Sequence, residues 1–217
     1  MSRWCVVACL GLLVGVGASA ADALQGFGAD NRPWVRVLSI LLNSATVWVL
    51  TAFVAGRVAR TWRQAVAAGS MSLYLAVVGY YTYGVTLGDR IDVGLGALTG
   101  VTGYWLLMAT VAGPVFGVLG RVTQLTGLSG PLAALSVPAV AVLEVVGRYH
   151  ISLNGFQIDP LREWTCVALL LAAMVCAAWT LTRAAGSIMI AALNARPSTS
   201  VLRESDGDVV HSAKISE

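Results

Sequence analysis

Residues 164–182 read WTCVALLLAAMVCAAWTLT, a run without a single charged side chain. A helix needs about 20 mainly apolar residues to cross the hydrocarbon core of a bilayer, and this run has that length. Five other stretches share its character. The six predicted spans are residues 4–23, 37–56, 65–87, 93–120, 131–147 and 164–182. The chain is therefore predicted to be an all-α, polytopic membrane helix bundle with six transmembrane helices.

The composition agrees with a chain that is solvated largely by lipid. The 217 residues are 57% hydrophobic and 12% charged, and the mean hydropathy is +0.76. A soluble domain typically carries about 25% charged residues. The lipid bilayer is thus the first expected partner. The net charge of +3 does not indicate nucleic-acid binding, because the basic residues follow the predicted loops.

The distribution of arginine predicts the orientation. Lys and Arg concentrate on the cytoplasmic side of membrane proteins. With Arg3 placed inside, nine of the 14 basic residues lie on the inner side, and the cluster Arg57, Arg60 and Arg63 is the strongest indication. We predict a multi-pass protein of the bacterial plasma membrane with both termini cytoplasmic. Residues 1–195 form the transmembrane domain, and the polar residues 196–217 form a disordered tail.

The first span allows a second interpretation. Arg3, the apolar run and Ala18-Ser19-Ala20 also describe a cleavable secretory signal. We interpret the segment as a retained helix that is followed by an outer loop containing Asp22. Cleavage would leave five spans in the same orientation.

Polar residues recur on one face of the second predicted span. Ser39, Asn43 and Thr46 are four and three residues apart, and Arg36 lies one turn earlier. Polar groups inside a membrane must face protein or water. The face forms either one wall of a polar cavity or a set of hydrogen bonds between helices.

Glu144 is the only acidic residue that lies clearly within a predicted span. A carboxylate inside a membrane is a candidate substrate or proton site. Arg148 follows at i+4, so a local ion pair is the alternative.

Aromatic residues mark the predicted outer ends of the third and fourth spans. Tyr80 and Tyr81 lie between Gly79 and Gly84, and Trp105 lies in the outer half of the fourth span. Tyr and Trp are enriched at membrane interfaces. The same residues could instead line a binding pocket.

Small residues predict close helix packing at two places. Gly113, Pro114 and Gly117 interrupt the fourth span, and they indicate a kink with tight packing or a hinge. Gly11 and Gly15 form a small face on the first span.

No catalytic or metal-binding pattern is found. The four cysteines lack the CxxC spacing of zinc and redox motifs, and no span pairs a nucleophile with a base. We therefore predict no enzyme activity, no metal and no cofactor.

Short blocks of residues carry a family resemblance. They are Asn43-Ser44, Trp48, Ala52-Phe53, Gly56, Gly79-Tyr80-Tyr81, Gly113-Pro114, Gly117, Gly120 and Glu144. In this order they resemble a family of small actinobacterial integral membrane proteins known only as a domain of unknown function. The resemblance covers about residues 1–185, supports the topology and implies no activity.

The architecture is also similar, more distantly, to the S components of energy-coupling-factor transporters. That likeness implies docking on a partner through Gly11 and Gly15. The partners would be an ATPase and a coupling protein.

The leading hypothesis is a small-molecule binding or transport component with an outward-facing polar site. The residues predicted to line the site are Ser39, Asn43, Tyr80, Tyr81, Trp105 and Glu144. The alternative is a structural or accessory membrane protein without a ligand site, in which these side chains only join helices.

Overall fold

A computed structural model describes residues 2–26, 32–86, 100–125, 128–153 and 160–194. Within these ranges the chain is helical and has no strand. The helices are α1 (Arg3–Gly26), α2 (Pro33–Leu42), α3 (Ala45–Val58), α4 (Trp62–Thr86), α5 (Val101–Val122), α6 (Ser129–Ala134), α7 (Ser136–Leu153) and α8 (Pro160–Asn194). Five segments of the described chain are long and apolar enough to cross a membrane, and a bent pair of helices makes a sixth. The predicted all-α fold with membrane-spanning helices is confirmed.

The second span is not the continuous helix that we predicted for residues 37–56. It consists of α2 and α3, which meet at an angle of 53°. Asn43 ends α2, and Ser44 takes up an extended conformation with φ −75° and ψ 133°. The Ser44 hydroxyl accepts a hydrogen bond from the Thr46 backbone N–H, as the N-cap residue of a new helix does. The helix can break here because the side chains of both residues bond to the backbone at the two helix ends: Asn43 Nδ2 donates to the Ser39 carbonyl oxygen, and the Ser44 hydroxyl accepts from the Thr46 N–H.

Two other segments differ from the prediction, and a third was left open by the sequence. Helix α5 passes through Pro114 without the predicted interruption. Helix α8 continues to Asn194, so residues 184–193, which the sequence allowed either to extend the sixth helix or to lie along the membrane surface, extend it. Asp22, which we placed in a loop, belongs to α1. The predicted tail, residues 196–217, and residues 93–99 of the fourth predicted span lie outside the described residues.

Close backbone contact joins α1 to α4. A Cβ added at Gly15 would lie 2.7 Å from the carbonyl carbon of Ala76, and one added at Gly11 would lie 3.0 Å from that of Ser72. Only glycine permits this approach. Gly11 and Gly15 are therefore buried inside the molecule, and the partner docking predicted for them is wrong because α4 covers their face.

Glycines also set the distances between α5 and its neighbours. A Cβ at Gly113 would lie 2.6 Å from the Ser70 Cα atom, and one at Gly117 would lie 3.2 Å from the Ala65 carbonyl carbon. Gly120 packs in the same manner against α3, at Phe53. The helices α1, α3, α4 and α5 thus form a tightly packed group. Helix α8 lies at its side, against α7 and α2, with Trp164, Val175 and Trp179 exposed.

One end of the bundle is defined by arginine contacts. Arg3 Nη1 donates to the Val58 carbonyl oxygen at 3.1 Å, which places the start of α1 beside the end of α3. Gln124, just past α5, donates to the Arg57 carbonyl oxygen. We call this the basic end. Helix α3 has 14 residues, so the break before it lies about 21 Å along the helix from that end, roughly two thirds of the way across a hydrocarbon core of about 30 Å.

Candidate functional site at the helix break

The first half of the site is Glu144, which binds the start of α3 from another helix. Its Oε2 atom accepts hydrogen bonds from the Ser44 hydroxyl at 2.7 Å, the Thr46 hydroxyl at 2.8 Å and the Thr46 backbone N–H at 3.0 Å. The start of a helix carries unpaired N–H groups and a partial positive charge, so a carboxylate is stabilised there. Glu144 thereby holds α7 against the break.

Arg148 neutralises the other oxygen of the same carboxylate. Its Nη2 and Nε atoms lie 2.6 Å and 3.1 Å from Glu144 Oε1. The Glu144 side chain is only 8% exposed. The local ion pair that the spacing allowed is therefore present, and the contacts with Ser44 and Thr46 come in addition to it.

The second half of the site is Asp22 of α1. Its Oδ1 atom accepts from the Ser39 hydroxyl at 2.6 Å and from Asn43 Nδ2 at 2.9 Å. Its Oδ2 atom accepts from the Tyr80 hydroxyl at 2.7 Å. All three donors are neutral, and within the described ranges Asp22 forms no ion pair. In this respect Asp22 differs from Glu144, whose carboxylate is paired with Arg148.

The electrostatic setting of Asp22 is opposite to that of Glu144. Ser39 and Asn43 belong to the last turn and the C-cap of α2. The end of a helix carries a partial negative charge, which adds to that of the carboxylate. Side chains bond to two carbonyls at this end. Trp48 Nε1 donates to the Leu42 oxygen at 2.8 Å, and Asn43 Nδ2 donates at 3.1 Å to the Ser39 oxygen, which also accepts from the Asn43 backbone N–H.

Sequence reasoning missed Asp22 because the residue lies near the end of the first predicted span and was assigned to the outer loop. A signal was nevertheless present. Gly11, Gly15, Ala18 and Asp22 recur at intervals of four, three and four residues, which is one helix face. Because small residues mark the face that packs against another helix, an acid on the same face points into the bundle.

The structure separates the six predicted site residues into three groups. Ser39, Asn43 and Tyr80 surround Asp22. Glu144 lies at the other side of the break, in contact with Ser44 and Thr46. The third group is aromatic.

Tyr81 and Trp105 make up the aromatic group. Tyr81 stacks edge-on against Tyr80 with the ring centroids 5.2 Å apart. Trp105 lies 6.0 Å from Trp48. Tyr81 and Trp48 pack on a buried apolar cluster that includes Leu73, and Trp105 is 42% exposed. These aromatic residues adjoin the site but contact neither carboxylate.

Space beside Glu144 is very small. The cavity has a volume of about 10 Å³, at or below what a single water molecule requires. Its lining includes Ser44, Glu144, Arg148 and Thr165. In this conformation the site has no room for an organic ligand beside Glu144, and only an ion or a water molecule fits there.

Metal coordination by the usual side chains is not supported where the chain is described. No group of three His, Cys, Asp or Glu residues that could hold a metal ion occurs in those ranges. The side chains that contact Asp22 carry further oxygen atoms, namely the hydroxyls of Ser39 and Tyr80 and the amide oxygen of Asn43. Oxygen atoms of this kind suit hard cations better than soft metals that prefer sulfur or imidazole ligands.

Comparison with known proteins gives a family but no activity. No match to this chain is found among curated proteins or among solved structures. A family model described as "Family of unknown function (DUF6518)" matches residues 1–203, which is nearly the whole chain. The chain belongs to this family of unknown function, DUF6518.

Proposed function

We propose that the protein is a membrane transport component that binds a small monovalent cation, Na⁺ or H⁺, at Asp22. The observation that supports this most strongly is the position of the Asp22 carboxylate of α1, which lies beside the end of α2 at the break in the second span and accepts hydrogen bonds from three neutral donors. Placing an ionised group inside a membrane is costly, and groups placed there usually pair with one another or mark an ion pathway. Glu144 has Arg148 as its partner, whereas Asp22 has only neutral donors.

The surrounding groups support the choice of a cation. The ends of interrupted helices contribute to Na⁺ and H⁺ sites in many transporters, because the partial negative charge of a helix end favours a cation. The hydroxyls of Ser39 and Tyr80 now donate to Asp22. Each hydroxyl can rotate and present a lone pair instead, so both could become ligands of a bound ion.

The helix break is the part of the structure whose geometry a bound cation could change. Asn43 belongs to the Asp22 half of the site, and the adjacent Ser44 belongs to the Glu144 half. A cation on Asp22 would change the interactions at the end of α2, while Glu144 holds the start of α3. We propose that cation binding shifts the angle between α2 and α3 and thereby the access to the site. By the predicted orientation, that access is from the outer side of the membrane.

A second candidate is a structural or accessory role without a ligand. Two observations favour it: the volume beside Glu144 is about 10 Å³, and the break is well supplied with internal hydrogen bonds. In this case Asp22 and Glu144 only fasten α1 and α7 to the broken span.

Cation binding at Asp22 should raise thermal stability. A ligand present at 100 times its Kd stabilises the native state by about 2.7 kcal/mol, which corresponds to roughly 5 °C or more in Tm for a chain of this size. Thermal unfolding of the purified protein in detergent should be followed in NaCl and in choline chloride at equal ionic strength, between pH 6 and 8. We expect Na⁺, or low pH if the proton is the ligand, to raise Tm in the wild type, and Asp22→Asn to abolish the shift.

Thr110→Val is the matched control for this experiment. The Thr110 hydroxyl bonds to the Tyr74 hydroxyl and donates to the Leu106 carbonyl oxygen, both at 2.7 Å and away from the break. Its loss therefore removes two hydrogen bonds but leaves the site intact. This variant should keep the cation-dependent shift. The structural candidate predicts a lower Tm for Asp22→Asn with no cation dependence in the wild type. That result, or an equal shift in Asp22→Asn, would reject the proposed function.

A further inference from the structure

The basic end of the bundle contains a charged cavity that is separate from the Asp22 site. Its volume is about 480 Å³. Its lining includes Arg3, Arg57, Arg60, Arg121 and Gln124. Among the residues that the structure describes, no acidic residue lines this cavity and none of the four arginines forms an ion pair with a carboxylate. The cavity therefore concentrates positive charge between the ends of three helices.

The partial charges at the helix ends do not cancel the positive charge of the arginines. The starts of α1 and α4 and the ends of α3 and α5 all lie at this end. A helix start contributes about +0.5 and a helix end about −0.5 of an elementary charge. These contributions roughly cancel, so the four guanidinium groups keep a charge of about +4. Such a group of arginines is suited to an anion with several oxygen atoms, and above all to phosphate.

Internal contacts hold part of this arginine group in place. Arg3 donates to the Val58 carbonyl oxygen. Arg121 donates to the Gln124 side chain, which in turn donates to the Arg57 carbonyl oxygen. The Nε atom of Arg121 is buried and donates no hydrogen bond within the described residues. A donor left in this state is costly, so an anion that reached it would gain a charged hydrogen bond.

A second cavity adjoins the first and has apolar walls. It has a volume of about 310 Å³ and shares Arg3 and Arg60 with the charged cavity. It continues along Trp4, Val7, Ala55 and Ala68, between α1, α3 and α4. The two cavities together offer a polar compartment and, next to it, an apolar one.

Two tryptophans locate this end at the level of the lipid headgroups. Trp4 in the first turn of α1 and Trp62 at the start of α4 are 43% and 47% exposed. Tryptophan is enriched at the interface between the hydrocarbon core and water. A ligand in the paired cavities would thus have its charged part at headgroup depth and its apolar part in the bundle.

We infer that the paired cavities bind an anionic phospholipid, with the phosphate among the arginines and one acyl chain along the wall formed by Trp4 and Val7. Basic pockets between membrane helices are suited to anionic headgroups. The apolar extension favours a lipid over a soluble phosphate compound. This inference uses no residue of the Asp22 site and does not depend on the proposed function.

Two arginines of the same segment provide a matched test. Arg60 lines both cavities, whereas Arg63 lines neither, and both side chains are exposed. Arg60→Gln and Arg63→Gln therefore remove the same charge from neighbouring surface positions. The purified full chain in neutral detergent should be titrated with phosphatidylglycerol, with phosphatidylcholine and with inorganic phosphate. Native mass spectrometry then counts the bound lipid.

We expect the wild type to retain one phosphatidylglycerol and to bind phosphatidylcholine at least roughly tenfold more weakly. Arg60→Gln should weaken phosphatidylglycerol binding about fivefold relative to Arg63→Gln, the effect of one basic residue near an anionic headgroup. Arg57→Gln is a second variant with the same expected direction, should Arg60→Gln fail to fold. Equal effects of Arg60→Gln and Arg63→Gln, equal binding of the two lipids, or full displacement of phosphatidylglycerol by millimolar phosphate would each overturn the inference.

Discussion

Replacing Glu144 by alanine should lower the free energy of unfolding by about 3 kcal/mol or more. Removal of one partner from a buried ion pair typically costs 3–5 kcal/mol, because the other charge stays buried without compensation. Here Arg148 would lose both of its bonds to the carboxylate. The start of α3 would also lose an acceptor for Thr46 N–H and for two hydroxyls, which adds roughly 1 kcal/mol.

The double variant Glu144→Ala/Arg148→Ala separates these two contributions. Removing both charges eliminates the stranded guanidinium, so the double variant should be more stable than Glu144→Ala alone. Thermal and denaturant unfolding in detergent would measure the difference. A Glu144→Ala variant that unfolds at the wild-type temperature, or a double variant that is less stable than the single one, would contradict the role given to this carboxylate.

Placing a side chain at Gly15 should disrupt the contact between α1 and α4. A Cβ there would lie 2.7 Å from the Ala76 carbonyl carbon, and backbone atoms cannot move aside as a flexible side chain can. Overpacking a dense interior typically costs 1–3 kcal/mol and occasionally more. We expect Gly15→Ala to lower Tm by several degrees and Gly15→Leu to prevent the isolation of a monodisperse protein.

Gly147→Ala is the control for helix propensity. Nothing lies within 4 Å of a Cβ at Gly147, and alanine is favoured over glycine in a helix by about 1 kcal/mol. This substitution should be neutral or stabilising. The close-packing account would be wrong if Gly15→Ala and Gly147→Ala changed the Tm by the same amount.

Local signals in the sequence were sufficient for the fold class. Long runs without charge, such as residues 164–182, can be recognised one at a time because hydropathy is a property of a short window. The pair Glu144 and Arg148 is also local, since the residues lie one helix turn apart. Both features could be predicted from the chain alone.

The break in the second span was harder to predict. Asn43 and Ser44 are typical residues for the end and the start of a helix, but the surrounding segment is apolar enough to be interpreted as one span. What completes the break is distant in sequence. Glu144 is 100 residues from Ser44, and Asp22 is 58 residues from Tyr80. No local pattern predicts such pairs, because they depend on how the helices pack.

The interpretation of small residues changed for the same reason. Gly11 and Gly15 correctly marked a face that permits close approach, but the sequence did not identify the helix that approaches. The partner is α4 of the same chain. The polar face of α2 likewise could not be assigned to a cavity or to helix contacts until Asp22 was placed opposite Ser39 and Asn43.

Isothermal titration calorimetry with Na⁺ tests the central claim, cation binding at Asp22, most directly. The purified protein should be titrated with NaCl against choline chloride at constant ionic strength, at pH 8 and again at pH 6. We expect a saturable heat for one ion in the wild type and in the control Thr110→Val, and no heat in Asp22→Asn. Absence of a saturable Na⁺ heat in the wild type at both pH values together with no stabilisation at low pH, or an equal heat in Asp22→Asn, would contradict the claim.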